Sequence, residues 1–283
     1  MLHPDALHVD IEAALGALAE QGYARIGRVM DDAALEALRA RTNELMLGEV
    51  RYDGFFFQHD TSTGRYEDLL YKRGYVGPSL NYRKLEKLEK DPLFFSWIQN
   101  PLFEAIAKRA IGTEVSIYRA VLFNKSACGG SVLPWHQDGG SYWGLDRDPT
   151  LQIWTALDDA RIESGCLEVV PGSHLGGLAT PLGGVIPDRI VREGHAEERR
   201  IRLPASAGEA ILLHNHLWHG SNVNRTGKPR RAITICYMDA ATRCLRTKHA
   251  PRSFVRVFDG RSFSPRGATP KPNPATARKL EST

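Results

Sequence analysis

The sequence lacks the features that mark a secreted, disulfide-linked or membrane-spanning protein. It has only four cysteines among 283 residues, and no two of them form a close Cys-x-x-Cys pair. No run approaches the roughly 20 apolar residues that cross a bilayer. The N-terminal residues show no basic segment followed by an apolar one, which a secretory signal would need. These absences predict a protein of the reducing cytoplasm with no membrane partner.

A strong excess of charge of either sign is also missing. The formal net charge is +4, and the basic residues do not form a face interleaved with aromatics, so we expect no nucleic-acid partner. Residues 262–283 are rich in Pro, Ser, Thr and basic residues and predict an extended or disordered C-terminal tail. The remaining part, residues 1–261, is long enough for a single domain with a full core.

Hydrophobic residues at helical spacing occur mainly in the first 111 residues. They predict helices over 10–21, from Asp31 or Asp32 onwards, and over 92–111, with a strand over 23–29. The charged run over 84–90 indicates a further helix with a solvated face. Residues 50–80 are irregular. Their aromatics, Phe55 to Phe57, fit either a core strand or a lid over an active site, and the sequence leaves both open.

From residue 114 the spacing changes to the two-residue period of β-strands. Strands are predicted within 115–123, 152–157, 167–170, 199–203, 210–213 and 232–237, with Gly, Pro, Asn and Ser between them. Many short strands without regular intervening helices are typical of an antiparallel sandwich or barrel. We therefore predict a mainly β fold with flanking helices, whose core covers about residues 114–240.

Two motifs in the β-rich half carry the residue types of a non-haem iron site. His136 and Asp138 are two residues apart, so at a strand end both side chains point to the same side. A third ligand is available from His214, His216 or His219, and composition does not choose between them. Two imidazoles and one carboxylate are a ligand set that leaves positions open on Fe(II).

His219 differs from the other two histidines in the residues that come after it. A turn begins at Gly220, and the next strand begins at Arg230 and Arg231, so a hairpin would return an arginine to the side of His219. A buried guanidinium binds a carboxylate through two parallel hydrogen bonds, which lysine does not match. These features favour His219 as the third ligand and Arg230 as the carboxylate-binding residue, with Arg231 as its alternative.

In their order and spacing these motifs resemble the phytanoyl-CoA dioxygenase family of Fe(II)- and 2-oxoglutarate-dependent oxygenases. The resemblance runs from about residue 115 to 239. It rests on Asn124-Lys125, Trp135-His136-Gln137-Asp138, Trp154-Thr155-Ala156-Leu157, Ser164-Gly165-Cys166-Leu167, Pro171-Gly172-Ser173-His174, Gly208-Glu209, His219-Gly220-Ser221 and Arg230. The N-terminal helix, strand and helix are similar too. The resemblance implies a double-stranded β-helix, or jelly roll, of the cupin-like kind, buttressed by N-terminal α-helices.

The resemblance also implies a set of site residues. Iron would be held by His136, Asp138 and His219, and 2-oxoglutarate would chelate it. The far carboxylate of 2-oxoglutarate would meet Arg230 and Ser221. Gln137, Trp154 and Asn124 match positions that line the co-substrate pocket of the family, and Arg83 or Lys84 corresponds loosely to a further contact.

Other residues near these motifs have two interpretations each. His214 fits a packing residue beside the ligands, His216 is either exposed or in the substrate cavity, and His174 fits a turn residue. Four aromatics flank the ligands, and either substrate contact or packing at the rim fits each of them: Trp135, Tyr142, Trp143 and Trp218.

The family's chemistry couples oxidative decarboxylation of 2-oxoglutarate by dioxygen to the oxidation of a C–H bond. Asp138 argues against the related halogenases, in which a small residue replaces the carboxylate. Segments 50–80, 140–148 and 181–198 mix aromatic and charged residues and are expected to form the substrate mouth.

We therefore expect hydroxylation or oxidative cyclisation of a small polar metabolite in bacterial specialised metabolism, such as an antibiotic pathway. Sugar-containing metabolites are among the expected substrates. The alternatives are an acyl-CoA or amino-acid hydroxylase of the same family, a non-catalytic jelly-roll binding protein, and a cupin-type enzyme with another metal. The oligomeric state stays open.

Overall fold

The computed structural model describes residues 2–70, 74–127, 130–247 and 252–259. The predicted tail over 262–283 lies outside these residues. The described ranges contain four short 3-10 helices, at Pro4–His8, Tyr66–Asp68, Leu88–Lys90 and Ser173–Gly176. Within the described residues, no helix combines the length and the apolar character that a membrane span requires.

The N-terminal region folds as a helix, a strand and a helix, as its sequence predicts. The elements are α1 (Ile11–Gln21), β1 (Tyr23–Arg28) and α2 (Asp32–Leu47). Asp10 caps α1 by accepting a hydrogen bond from the Ala13 amide, and Asp31 caps α2 in the same way. Gly22 ends α1 in the left-handed region, with a φ of 81° that glycine adopts without strain.

The charged run over 84–90, predicted as one helix, is divided between a strand and a 3-10 helix. Three neighbouring strands of one sheet are β2 (Phe56–His59), β3 (Tyr82–Glu86) and β4 (Val115–Lys125). Lys84 and Glu86 both lie on β3 and form an ion pair with each other. The helical prediction is therefore wrong for residues 84–86, whose charges are paired within a sheet, while Leu88–Lys90 forms a 3-10 turn.

Two further predictions are refined by the structure. Of the two interpretations of the aromatics at 55–57, the core strand applies, since Phe57 is buried on β2. The helix expected over 92–111 is split into α3 (Pro92–Ile98) and α4 (Pro101–Ala110). Pro101 has no amide hydrogen with which to continue α3, and Asn100 instead caps α4 by accepting from the Leu102 amide.

The β-rich half forms two sheets, and this confirms the predicted fold class. The remaining elements are β5 (Leu133–Gln137), β6 (Leu151–Ala156), β7 (Leu167–Val169), β8 (Gly184–Val185), α5 (Asp188–Glu193), α6 (Ala196–Arg199), β9 (Ile201–Leu203), β10 (Glu209–Leu213), β11 (His219–Ser221), β12 (Arg230–Asp239) and β13 (Val255–Phe258). The first sheet has the order β1-β10-β6-β12-β4-β3-β2, with β13 also on β4, and the second has the order β8-β5-β11-β7-β9. All strand pairs are antiparallel.

The two faces of the first sheet serve different layers, and strand β12 shows the division. Ile233 and Ile235 belong to the large core that also contains buried residues of the helices, such as Leu38 and Trp97. Ala232, which alternates with them, belongs to a second core shared with β7 of the other sheet. Because alternate residues of a strand point to opposite faces, the helices cover one face and the second sheet covers the other.

Candidate metal centre

The three predicted metal ligands converge on neighbouring strands. His136 lies on β5 and His219 on β11, and the two residues are direct partners in the antiparallel pairing. Asp138 follows the end of β5. The ligand atoms of the three side chains all lie within 4.8 Å of one another, and no other such group of His, Cys, Asp or Glu occurs among the described residues.

Hydrogen bonds orient both imidazoles towards this centre. The Nδ1 atom of His136 lies 2.9 Å from the Pro134 carbonyl oxygen, and Nδ1 of His219 lies 2.8 Å from that of Leu217. A carbonyl only accepts, so each Nδ1 carries the proton and each Nε2 keeps a lone pair for a metal. Burial, together with the neighbouring His219, lowers the pKa of His136 to about 3, so the ring is neutral at physiological pH.

Asp138 is held by donors from two strands of the opposite sheet. Arg119 on β4 donates to Oδ1 at 2.9 Å, and Gln152 on β6 donates to Oδ2 at 2.9 Å. Burial by itself would raise the pKa of Asp138, but Arg119 and the two imidazoles lower it below the ordinary value, so the carboxylate is ionised. Oδ2 lies 3.8 Å from Nε2 of His219.

The sequence interpretation missed both of these partners. One signal was available for Arg119, which is a charged residue inside the apolar run Ile117 to Leu122. A charged side chain in a buried strand is rarely left without a partner. Gln152 offered no comparable signal, because an uncharged amide needs no partner of opposite charge.

The donor set of this centre fits a non-haem Fe(II) ion. Two imidazole nitrogens and one ionised carboxylate oxygen lie on one side and would leave coordination positions open on the metal. The three residues border a cleft between the two sheets that is partly open to solvent. The cleft is lined from both sheets by Arg83, Phe123, Asn124, Lys125, Ser131, Leu133, His136, Asp138, Gln152, Trp154, Leu167, Leu213, His219, Ser221, Arg230 and Thr234.

Arg230 enters this cleft with hydrogen-bonding capacity to spare. It is buried, its Nη2 donates to the Gly165 carbonyl at 2.9 Å, and its buried Nε has no hydrogen-bond partner. Among the described residues it forms no ion pair with a carboxylate, and burial lowers its pKa to about 10. A carboxylate-bearing ligand would satisfy these donors.

Arg231, the alternative to Arg230, points to the other face of the sheet. Its Nε and Nη2 donate to the two carboxylate oxygens of Asp158, at 2.7 and 3.0 Å, and Nη1 reaches Asn43 on α2. Its charge is therefore matched by a forked ion pair outside the cleft. The alternation of β12 separates the two arginines, which the sequence could not do.

Three of the other expected co-substrate residues line the cleft, and one does not. Trp154, Ser221 and Asn124 are lining residues, and Asn124 Oδ1 is buried without a hydrogen-bond partner. Gln137 is absent from the lining. Its Nε2 donates to the carbonyls of Gly177 and His216, and its Oε1 accepts from the amide of Ala179, at 2.8, 2.6 and 2.6 Å. The Gln137 side chain thus ties loops together, and its expected contact with the co-substrate stays a prediction.

The remaining histidines lie outside the three-residue centre. His216 Nε2 lies 2.9 Å from Asp148 Oδ2, and the His216 amide donates to Nδ1 of His214. Burial, with a smaller effect of His174, lowers the pKa of His214 to about 4. His174 follows a turn and its Nε2 lies 3.0 Å from the Ala19 carbonyl. All three therefore have structural contacts.

The flanking aromatics and the two basic residues of β3 also separate into groups. Trp143 is buried and stacks on Tyr118, which fits packing, whereas Tyr142 is 62% exposed. Trp135 donates from its ring nitrogen to Glu197. Of Arg83 and Lys84, only Arg83 lines the cleft.

Comparisons with known proteins identify the family and the fold. The family model described as phytanoyl-CoA dioxygenase matches residues 18–232. The phytanoyl-CoA dioxygenase domain-containing protein 1 of Bos taurus is 31% identical over 160 residues, which are 53% of this chain and 54% of that protein. The chain thus spans about half the length of the curated relatives of this kind that it matches.

Solved structures show the same fold at lower identity. The non-heme alpha-ketoglutarate-dependent carbocyclase SnoK from nogalamycin biosynthesis has a TM-score of 0.65 and 22% identity, covering 88% of this chain and 94% of its own. EctD from S. alaskensis, solved with 2-oxoglutarate and 5-hydroxyectoine, has a TM-score of 0.65 and 19% identity, covering 91% and 85%.

Proposed function

The chain belongs to the phytanoyl-CoA dioxygenase family, and we propose that it is an Fe(II)- and 2-oxoglutarate-dependent oxygenase acting on a small polar metabolite. One observation carries this proposal. A two-histidine, one-carboxylate centre and a buried arginine with an unsatisfied Nε border the same cleft. The first fits iron, and the second fits the far carboxylate of 2-oxoglutarate.

Each residue of the site has one task in this proposal. His136, Asp138 and His219 hold the iron, and Arg230 binds the far carboxylate with Ser221 as a hydroxyl donor beside it. When bound, iron and 2-oxoglutarate supply with dioxygen the oxidant for a C–H bond, and succinate and carbon dioxide are released. Trp154 and Leu213 are apolar walls of the cleft that keep water away from the centre.

We propose hydroxylation or oxidative cyclisation as the reaction, within bacterial specialised metabolism such as an antibiotic pathway. Sugar-containing metabolites are among the proposed substrates. The shared fold of SnoK, a carbocyclase of nogalamycin biosynthesis, supports this choice. The match to relatives named for phytanoyl-CoA supports an acyl-CoA substrate as the alternative, and EctD supports an amino-acid-derived one. We also propose that residues 1–261 act as one domain in the cytoplasm.

An anaerobic titration with Fe(II) and then 2-oxoglutarate tests the core of the proposal. We expect a visible charge-transfer band in the wild-type protein and none in His219→Ala. A band that survives this substitution, or no band in the wild type, would refute the assignment and leave a binding protein or a different metal.

A screen by mass spectrometry tests the substrate. Metabolites of the three classes are incubated with the loaded protein, and succinate release is measured beside the product mass. A gain of one oxygen indicates hydroxylation, and a loss of two hydrogens indicates ring closure or desaturation. Succinate release only with acyl-CoA thioesters would overturn the polar-metabolite proposal but keep the oxygenase.

A further inference from the structure

A column of stacked side chains leads from Asp138 to the segment before strand β13. Arg119 donates to Asp138, and its guanidinium carbon lies 4.8 Å from the ring centroid of Trp143. Trp143 stacks on Tyr118, with ring centroids 4.1 Å apart and planes at 10°. The guanidinium of Arg252 lies 4.6 Å from the Tyr118 ring centroid. We refer to Arg119, Trp143, Tyr118 and Arg252 as the Arg119 column.

The column is rigid because its aromatic members are buried. Trp143 is 3% exposed and Tyr118 is 8% exposed, and both belong to a small apolar cluster with Cys236 and Met238 of β12. A guanidinium over an aromatic face is attracted by the electron-rich face of the ring, and more strongly when the pair is desolvated. Arg119 is therefore held from behind by a packed ring as well as in front by a carboxylate.

The geometry at Asp138 gives the two carboxylate oxygens different roles. Oδ1 accepts from Arg119, whereas Oδ2 accepts from Gln152 and is the oxygen 3.8 Å from His219 Nε2. A free carboxylate rotates about its last bond and presents either oxygen to a metal. With Oδ1 fixed by Arg119, this rotation is blocked and Oδ2 remains on the side of the histidines.

We propose that Arg119 is a positioning residue that presents Asp138 Oδ2 to the metal, and that Trp143, Tyr118 and Arg252 keep Arg119 in place. The proposal rests on the proposed function, since it needs a metal at this centre. It gives Trp143 a role behind a ligand, where the sequence allowed a substrate contact or packing at the rim. It also connects the segment at Arg252 with a metal ligand.

Binding of Co(II) tests the proposal without any turnover. The full chain is titrated with Co(II), and both the affinity and the visible absorption of the bound ion are recorded. We expect Arg119→Met to weaken Co(II) binding about 10- to 100-fold, the usual cost of losing a partner of a metal ligand. The absorption should also change, because the carboxylate is free to rotate. Arg119→Lys should recover part of the affinity, since it keeps the charge without the planar guanidinium that lies over the Trp143 ring.

Trp143→Leu tests whether the column acts through Arg119. We expect a smaller, several-fold loss of Co(II) affinity from this substitution alone. In the double variant with Arg119→Met we expect no further loss, because two residues of one pathway are not additive. Equal and additive losses would overturn the role of Trp143.

Arg231→Met is the matched control, since it breaks another arginine–carboxylate pair of the same sheet, with Asp158. It should lower the melting temperature and leave Co(II) affinity and absorption unchanged.

If Arg119→Met behaves in the same way, Arg119 is only structural and the proposal is overturned. If Arg119→Met does not fold, unchanged Co(II) spectra in both Arg119→Lys and Trp143→Leu overturn it. Equal Co(II) binding by wild type and His219→Ala would instead refute the metal centre, and the role of Arg119 with it.

Discussion

The two ends of the cleft differ in how far the protein itself satisfies the polar atoms of the lining residues. At the metal end, each imidazole Nδ1 has a carbonyl partner, and both oxygens of Asp138 accept hydrogen bonds. At the other end, three buried polar atoms have no hydrogen-bond partner: Arg230 Nε, Asn124 Oδ1 and Ser131 Oγ. The metal end is organised in advance for an ion, whereas the other end is completed only by a ligand.

The distribution of charge follows the same division. The metal end holds Asp138, whose charge Arg119 matches. At the other end, the buried guanidinium of Arg230 forms no ion pair with a described carboxylate, and two further basic residues, Lys125 and Arg83, line the cleft. A buried charge is costly unless it is paired. A dianionic co-substrate would therefore bind with one end at the metal and the other at Arg230, which is the arrangement that we propose for 2-oxoglutarate.

The largest expected effect comes from removing a residue of the metal end. His219→Ala removes an oriented imidazole, and we expect the loss of measurable Fe(II) binding and of 2-oxoglutarate binding that depends on it. Calorimetry under anaerobic conditions measures both. Binding of 2-oxoglutarate that is unchanged without iron would contradict the division between the two ends.

A smaller effect is expected from a substitution at the other end of the cleft, where Arg230 is proposed to bind the far carboxylate of 2-oxoglutarate. Arg230→Met removes a charged donor, and such hydrogen bonds contribute about 1.5–3 kcal/mol, so 2-oxoglutarate should bind roughly 10- to 100-fold more weakly. Fe(II) affinity in the absence of 2-oxoglutarate should stay as in the wild type. The neighbouring Arg231→Met is the control and should leave both affinities unchanged. An equal loss in the two variants would show that the effect is one of stability.

Lys125 should make co-substrate binding depend on pH. Burial, with an added effect of Arg230, lowers the pKa of Lys125 well below the ordinary value, and its Nζ donates to the Ser131 carbonyl. An anion bound beside it would raise this pKa, so a proton is taken up on binding at pH values between the two pKa values. In that window the affinity for 2-oxoglutarate falls as pH rises, at most about tenfold per pH unit for one proton. Calorimetry in buffers of different ionisation enthalpy measures the uptake. Its absence, or an unchanged pH profile in Lys125→Met, would contradict the prediction.

The sequence predicted those parts of the fold and site that depend on local pattern. The strands with a two-residue period, the start of α2 at Asp31 or Asp32, and the preference for His219 all follow from neighbouring residues. Strand β3 could not be predicted, because Lys84 and Glu86 look like a solvated surface until their mutual ion pair is known. The partners of Asp138 come from strands of the other sheet, and no local pattern encodes such a contact.

The smallest effect on ligand binding is expected from a substitution of Gln137, a residue whose place at the co-substrate was inferred from resemblance alone. By resemblance it was expected at the co-substrate pocket, but its amide bonds three backbone groups on loops away from the lining. Gln137→Ala should therefore change 2-oxoglutarate affinity less than about twofold, while lost hydrogen bonds lower the free energy of unfolding by about 1–3 kcal/mol. Chemical denaturation and calorimetry measure the two quantities. A tenfold loss of affinity with unchanged stability would instead support the expected contact between Gln137 and 2-oxoglutarate. It would mean that the co-substrate site extends beyond the basic residues and unsatisfied atoms at the end of the cleft opposite the metal.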